Sequence, residues 1–185
     1  MRYFIFLLLP CFLLLAPSCA DDDLQPRRNE TDLEALNRLV PITQTGAGTF
    51  GCLVNGELWI PEVDGASDVA ADALLSNDRT FIELTLRKEP ISDNRNQSIV
   101  IGCRFESAGS KAPLTSYSFF LDRGLENPCQ LVEIDTSQTN HLAVDFIDNN
   151  AKIISGTFRC IFREPECPNT TIEITEGRFD LRYRF

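Results

Sequence analysis

Five ectodomain cysteines, one histidine and a scatter of carboxylates are the residues with chemistry to offer in this 185-residue chain. His141 is the only histidine, so a Ser–His–Asp or Cys–His arrangement has to use it. Asp145 lies four residues further on in the same expected strand. That spacing shares a face but separates the two by about 13 Å, beyond hydrogen-bond reach. His141 therefore reads as a surface residue at a strand start. Carboxylate pairs could hydrolyse glycosides, and Glu57, Glu62, Asp64, Glu83, Asp145 and Asp148 are the candidates. With one Trp, Trp59, and three tyrosines there is little to stack a sugar on. Asp64, Asp68 and Asp72, or Asp145 with Asp148, could supply loop oxygens to calcium, yet neither group follows a calcium-loop pattern. Scattered cysteines with one histidine also fail to make a zinc set. The expectation is no catalytic residue, no metal and no cofactor.

Cysteine 19 has a different chemistry. Arg2 and the apolar run Phe4–Ala16 form a short targeting segment, and Leu-Ala-Pro-Ser-Cys at 15–19 resembles a bacterial lipobox. The run is too short to span a bilayer of about 30 Å as a helix. Cleavage before Cys19 and acylation of its thiol are expected. Pro17 departs from the motif, which usually has a small residue there. Asp21, Asp22 and Asp23 follow directly, and the run resembles the acidic export signal of Bacteroidota surface lipoproteins; the plainer reading is a solvated spacer. The expected location is the outer membrane, lipid-anchored, with surface exposure resting on those aspartates.

The remaining cysteines, Cys52, Cys103, Cys129, Cys160 and Cys167, then lie in a compartment that permits disulfides. Their odd number leaves at least one thiol. Cys160 and Cys167 have the shortest spacing, so Cys167 curling in from a loop onto Cys160 is the expected bridge. The competing arrangement pairs Cys160 with Cys52, Cys103 or Cys129 across the core and leaves Cys167 free.

The elements that would position these groups are β-strands. The last stretch, 152–185, alternates cleanly: Ile154, Phe158, Cys160 and Phe162 on one face, then Phe179, Leu181, Tyr183 and Phe185 against Arg178, Asp180, Arg182 and Arg184. It reads as a long terminal hairpin. The apolar set switches from even numbers (Ile172, Ile174) to odd ones, which calls for a bulge at Glu176–Gly177, with Gly177 taking positive φ. Asn55-Gly56 marks an earlier hairpin between Phe50–Val54 and Glu57–Ile60. Thr80–Arg87, Ser98–Phe105, Ser116–Leu121, Leu131–Asp135 and His141–Ile147 complete about nine strands.

The expected fold is all-β: an antiparallel sandwich, or alternatively a small up-and-down barrel, with one short N-terminal helix after Thr31. Residues 1–18 are read as signal, 19–46 as a tether and 47–185 as one β domain, with 43–48 a flexible joint across their boundary. The net charge of −10 becomes one unit more negative when Arg2 leaves with the signal. That argues against nucleic acid as a partner.

Three stretches, Thr49-Phe-Gly-Cys-Leu-Val-Asn-Gly-Glu-Leu-Trp-Ile-Pro, Ile153-Ile-Ser-Gly-Thr-Phe and Ile174-Thr-Glu-Gly-Arg-Phe-Asp-Leu-Arg-Tyr, together resemble an uncharacterised family of Bacteroidota lipoproteins. The resemblance implies a β-rich extracytoplasmic domain and carries no functional residues. The expected role is non-enzymatic, binding an envelope protein or glycan or serving in envelope assembly. A lipocalin-like carrier or inhibitor with an apolar pocket is the alternative, and a carboxylate hydrolase the second.

Overall fold

The computed structural model describes residues 30–63, 69–91, 95–115, 118–124, 129–164, 166–167 and 170–185. Among the described residues one helix, α1 (Glu30–Arg38), precedes eleven strands: β1 Thr49–Val54, β2 Glu57–Trp59, β3 Ala71–Leu75, β4 Phe81–Ile91, β5 Arg95–Arg104, β6 Lys111–Pro113, β7 Phe119–Asp122, β8 Leu131–Glu133, β9 His141–Asp148, β10 Ile153–Arg163 and β11 Thr171–Arg184. The fold is all-β, as alternation predicts, with a single sheet curled into a half-barrel. Two strands escape sequence reading. Ala71–Leu75 lacks β-branched residues, yet β4 pairs with its whole length and the end of β11 runs parallel beside it. Lys111–Pro113 looks like a turn but pairs with β9. In both, neighbours on the sheet override local propensity.

Strand β11 is the axis of the curl. Its first part lies between β10 and β1, and its last residues, Tyr183 and Arg184, pair with β3. One continuous strand thus belongs to both halves of the sheet. The far strands bend back to close over the core, through bridges Cys103↔Leu114 and Ile134↔Phe162. Between the halves the core is packed with Phe120, Phe162, Ile82, Leu84, Leu86, Ile99, Ile101, Leu142, Ile154 and Ile174, all essentially without solvent contact.

The expected bulge is present, with its roles exchanged. Phe158 pairs with Gly177 but Cys160 with Ile174, so β11 carries one extra residue there. Strand β1 sees the same insertion, between Gly51↔Arg178 and Leu53↔Thr175. Glu176, not Gly177, adopts the positive φ, at 53°. Gly177 is required for space: a Cβ there would sit 2.5 Å from the Phe158 ring. Phe158 in turn stacks on Phe50 with ring centroids 5.2 Å apart. The switch of face leaves Ile174 and Phe179 both buried, as a bulge must. Phe185, placed inward by alternation, is 53 % exposed at the chain end, where Lys152 and Arg79 approach its ring. The Asn55–Gly56 turn has φ of 50° and 83°, the double positive turn that Asn-Gly favours.

Candidate functional site

Cys19, Asp21, Asp22 and Asp23 lie outside the described residues. The cysteine pairing expected from spacing is corrected. The disulfide joins Cys129 to Cys167, with Cα atoms 5.7 Å apart, and Cys52, Cys103 and Cys160 are buried thiols. Cys160 cannot turn toward Cys167, because it faces the core from β10, opposite Ile174. Cys129 is reached through a pairing that sequence distance hides. Ile134 bridges Phe162 in antiparallel sense, which brings the segment before β8 toward the turn after β10, where Cys167 lies. Burial pushes the Cys160 and Cys52 thiols well above their usual range, and Cys103 up to about 12. None of the three has the electropositive, accessible setting that makes a nucleophile.

His141 begins β9, paired with Pro113 and Arg159. Partial burial, then Lys111 and Arg159, hold its imidazolium pKa below the ordinary value. Asp145 is the extra residue of a bulge between the Phe146 and Val144 pairings, which turns it outward. Of the carboxylates named above, Glu57 and Glu62 are exposed, Glu83 accepts from Thr85, and Asp148 accepts from the Asn150 and Ala151 amides. Asp72 is bound by Arg184, while Asp64 and Asp68 fall outside the described residues. Among the described residues no cluster of three or more His, Cys, Asp or Glu is arranged to hold a metal ion. Trp59 is 3 % exposed and its indole N–H donates to Gln97 at 2.8 Å; Gln97 donates to the buried Asp122 at 2.6 Å. This chain of bonds runs from β2 through β5 to β7 and ties the two halves of the sheet together.

The polar site that sequence reading missed is Asp180. It sits on the outer face of β11 between Arg178 and Arg182, where alternation predicts exposure, yet it is 1 % exposed. The cover is the segment before β1. Thr43 donates its hydroxyl to Oδ2 at 2.6 Å, Thr45 its amide at 2.9 Å and its hydroxyl at 3.2 Å, and Ala47 its amide at 3.3 Å. The Gly46 amide donates to Oδ1 at 2.7 Å. Thr43–Gly48, read from composition as a flexible joint, is therefore docked on the domain. Leu39 and Val40 continue the contact over Gly51, and Arg178 donates to the Val40 carbonyl at 3.2 Å. Burial alone would raise the Asp180 carboxyl, but the donors from Thr43, Thr45, Gly46 and Ala47 outweigh it and hold the pKa below the usual range. The sequence signal for this clasp is slight: small and hydroxylated residues free to aim several N–H and O–H groups at one carboxylate.

Beside the clasp a mostly apolar groove of about 450 Å³ is lined by Val40, Phe50, Ile60, Pro61, Val69 and Ala71. A second, more polar groove of about 580 Å³ lies at the other end, between Glu133–Ser137 and Arg163–Glu164. No helix among the described residues is long and apolar enough to cross a membrane. Comparison with protein-family models, curated proteins and solved structures found no match.

Proposed function

We propose that the chain is a non-enzymatic outer-membrane lipoprotein whose β domain binds an envelope protein or glycan, or serves in envelope assembly. The observation that carries this reading is the use made of Asp180. A buried carboxylate is the group an enzyme would activate, and here it is saturated by structural donors from the segment that leads to Cys19. Domain and anchor side are thereby fastened to each other. The filled interior, with Phe120 and Phe162 at its centre, favours a solid module over a carrier with a ligand cavity.

Metabolic labelling with a palmitate analogue tests the anchor. Wild-type protein takes the label and fractionates with the outer membrane, whereas Cys19→Ala takes none and becomes extractable without detergent. Equal label in both ends the lipoprotein reading.

A further inference from the structure

We infer that residues 39–48 form a releasable strap, closed on the finished β fold by the one carboxylate of Asp180, which uncovers a polar row on the sheet when it opens. Three observations lead there. The first is convergence. Five hydrogen bonds from Thr43, Thr45, Gly46 and Ala47 end on the Asp180 carboxylate, so one side chain gathers most of the polar hold on the segment, alongside the Arg178 bond to the Val40 carbonyl and the Gly48 amide bond to the Asp180 carbonyl. Its large apolar anchor is at its start, where Leu39 is buried; Gly46 rests against Ile153 and Ile42 is 60 % exposed.

The second is what lies beneath. Thr49 of β1 and Ser155 of β10 are the direct cross-strand partners of Asp180 on either side, so the three share the outer face of the sheet. The hydroxyls of Thr49 and Ser155 are both buried without a hydrogen-bond partner. Closing the strap thus imposes a desolvation cost that opening relieves, which keeps the closed state finely balanced. The third is the pivot. Gly46 and Gly48 have φ of 68° and 74°, and nothing lies within 4 Å of where a Gly48 Cβ would stand. Glycines in the left-handed region, one of them in open space, let the chain swing without dragging β1 from its ladder. The strap therefore behaves as its own opening unit, separate from global unfolding. Its opening exposes a hydroxyl–carboxylate–hydroxyl row, Thr49–Asp180–Ser155, whose carboxylate can accept N–H donors from an extended peptide as it does from the strap.

Hydrogen exchange read by mass spectrometry on the full chain in detergent tests this. In wild type, peptides covering 43–47 exchange at least tenfold faster than β4–β5 and at a rate insensitive to low urea. Asp180→Asn speeds the strap at least a further tenfold and leaves β4–β5 unchanged, and Thr43→Val gives a smaller rise. Strap peptides that exchange only together with β4–β5, in wild type or variant, overturn the inference, as does a strap rate that Asp180→Asn leaves unaltered. If Asp180→Asn fails to fold, the wild-type urea series alone decides between the two.

Discussion

Replacing Cys129 and Cys167 together by serine should cost this protein about 4 kcal/mol. The structure sets the figure, because the bridge closes a loop with a sequence separation of 38 residues. Loop-closure entropy on that length, through a constant and a logarithm, gives about 13 cal/mol/K, or about 4 kcal/mol at 25 °C. The Cys160–Cys167 pairing expected from spacing would close a far smaller loop and be worth about 2–3 kcal/mol. For a chain of this size 1 kcal/mol moves the melting temperature by about 2–4 °C, so a fall of about 8–16 °C is expected. Urea unfolding separates the mechanism from a simple loss of packing. If the bridge acts by restricting the unfolded chain, the double variant exposes more surface on unfolding and its m-value rises as its midpoint falls. The double serine variant is the better perturbation than a reductant, since Cys167 is 2 % exposed. Alkylation in denaturant without reductant should label Cys52, Cys103 and Cys160 and spare Cys129 and Cys167. A destabilisation below about 1 kcal/mol refutes the entropic argument, and a linked peptide joining Cys160 to any cysteine refutes the pairing itself.

Gly177→Ala should destabilise by about 1–3 kcal/mol in chemical denaturation, because the Phe158 ring it would strike is locked on Phe50; a neutral variant would mean that the ring has room to move. Asp180 makes stability depend on pH in a defined direction. Its folded pKa is depressed, so its contribution is fully present above the ordinary carboxylate range and is lost as pH falls through the folded value. Asp180→Asn should therefore be less stable than wild type at neutral pH and close the gap below about pH 4, read by urea midpoints across pH; a constant difference would rule the carboxylate charge out. Replacing Asp21, Asp22 and Asp23 by alanine should leave acylation of Cys19 intact but reduce protease access on whole cells; unchanged access makes the aspartates a spacer.

Period-two alternation within Thr80–Arg87 and Ser98–Phe105 puts Ile82, Leu84 and Leu86, then Ile99, Ile101, Cys103 and Phe105, on one face, and each is buried. It located the bulge in β11 from the switch between Ile174 and Phe179, since a slip of one residue would have turned an apolar set to water. What it could not see are contacts made by residues far apart in the chain. Asp180 obeys the alternation of its strand and is nevertheless buried, because more than 130 residues upstream a segment with no period of its own folds over it. Composition marks Thr43–Gly48 as flexible for the reason that lets it serve as a clasp: glycines and small polar side chains present many unhindered donors.

The cysteine pairing fails from the same cause. Loop-closure entropy ranks pairs by separation along the chain when all else is equal, and a β fold makes all else unequal. Once Phe162 faces Ile134, the turn that follows β10 lies on the side of the sheet from which Cys129 approaches, and the nearest cysteine in sequence is turned into the core by the pleat. Strand order, which a single sequence does not encode locally, decides between the two bridges. The strap depends on it as well: Asp180 can be flanked by Thr49 and Ser155 only because β1 and β10 are both laid against β11. A site assembled from three strands and a preceding loop leaves no motif, since each of its members looks, in its own segment, like an ordinary outward-facing polar residue.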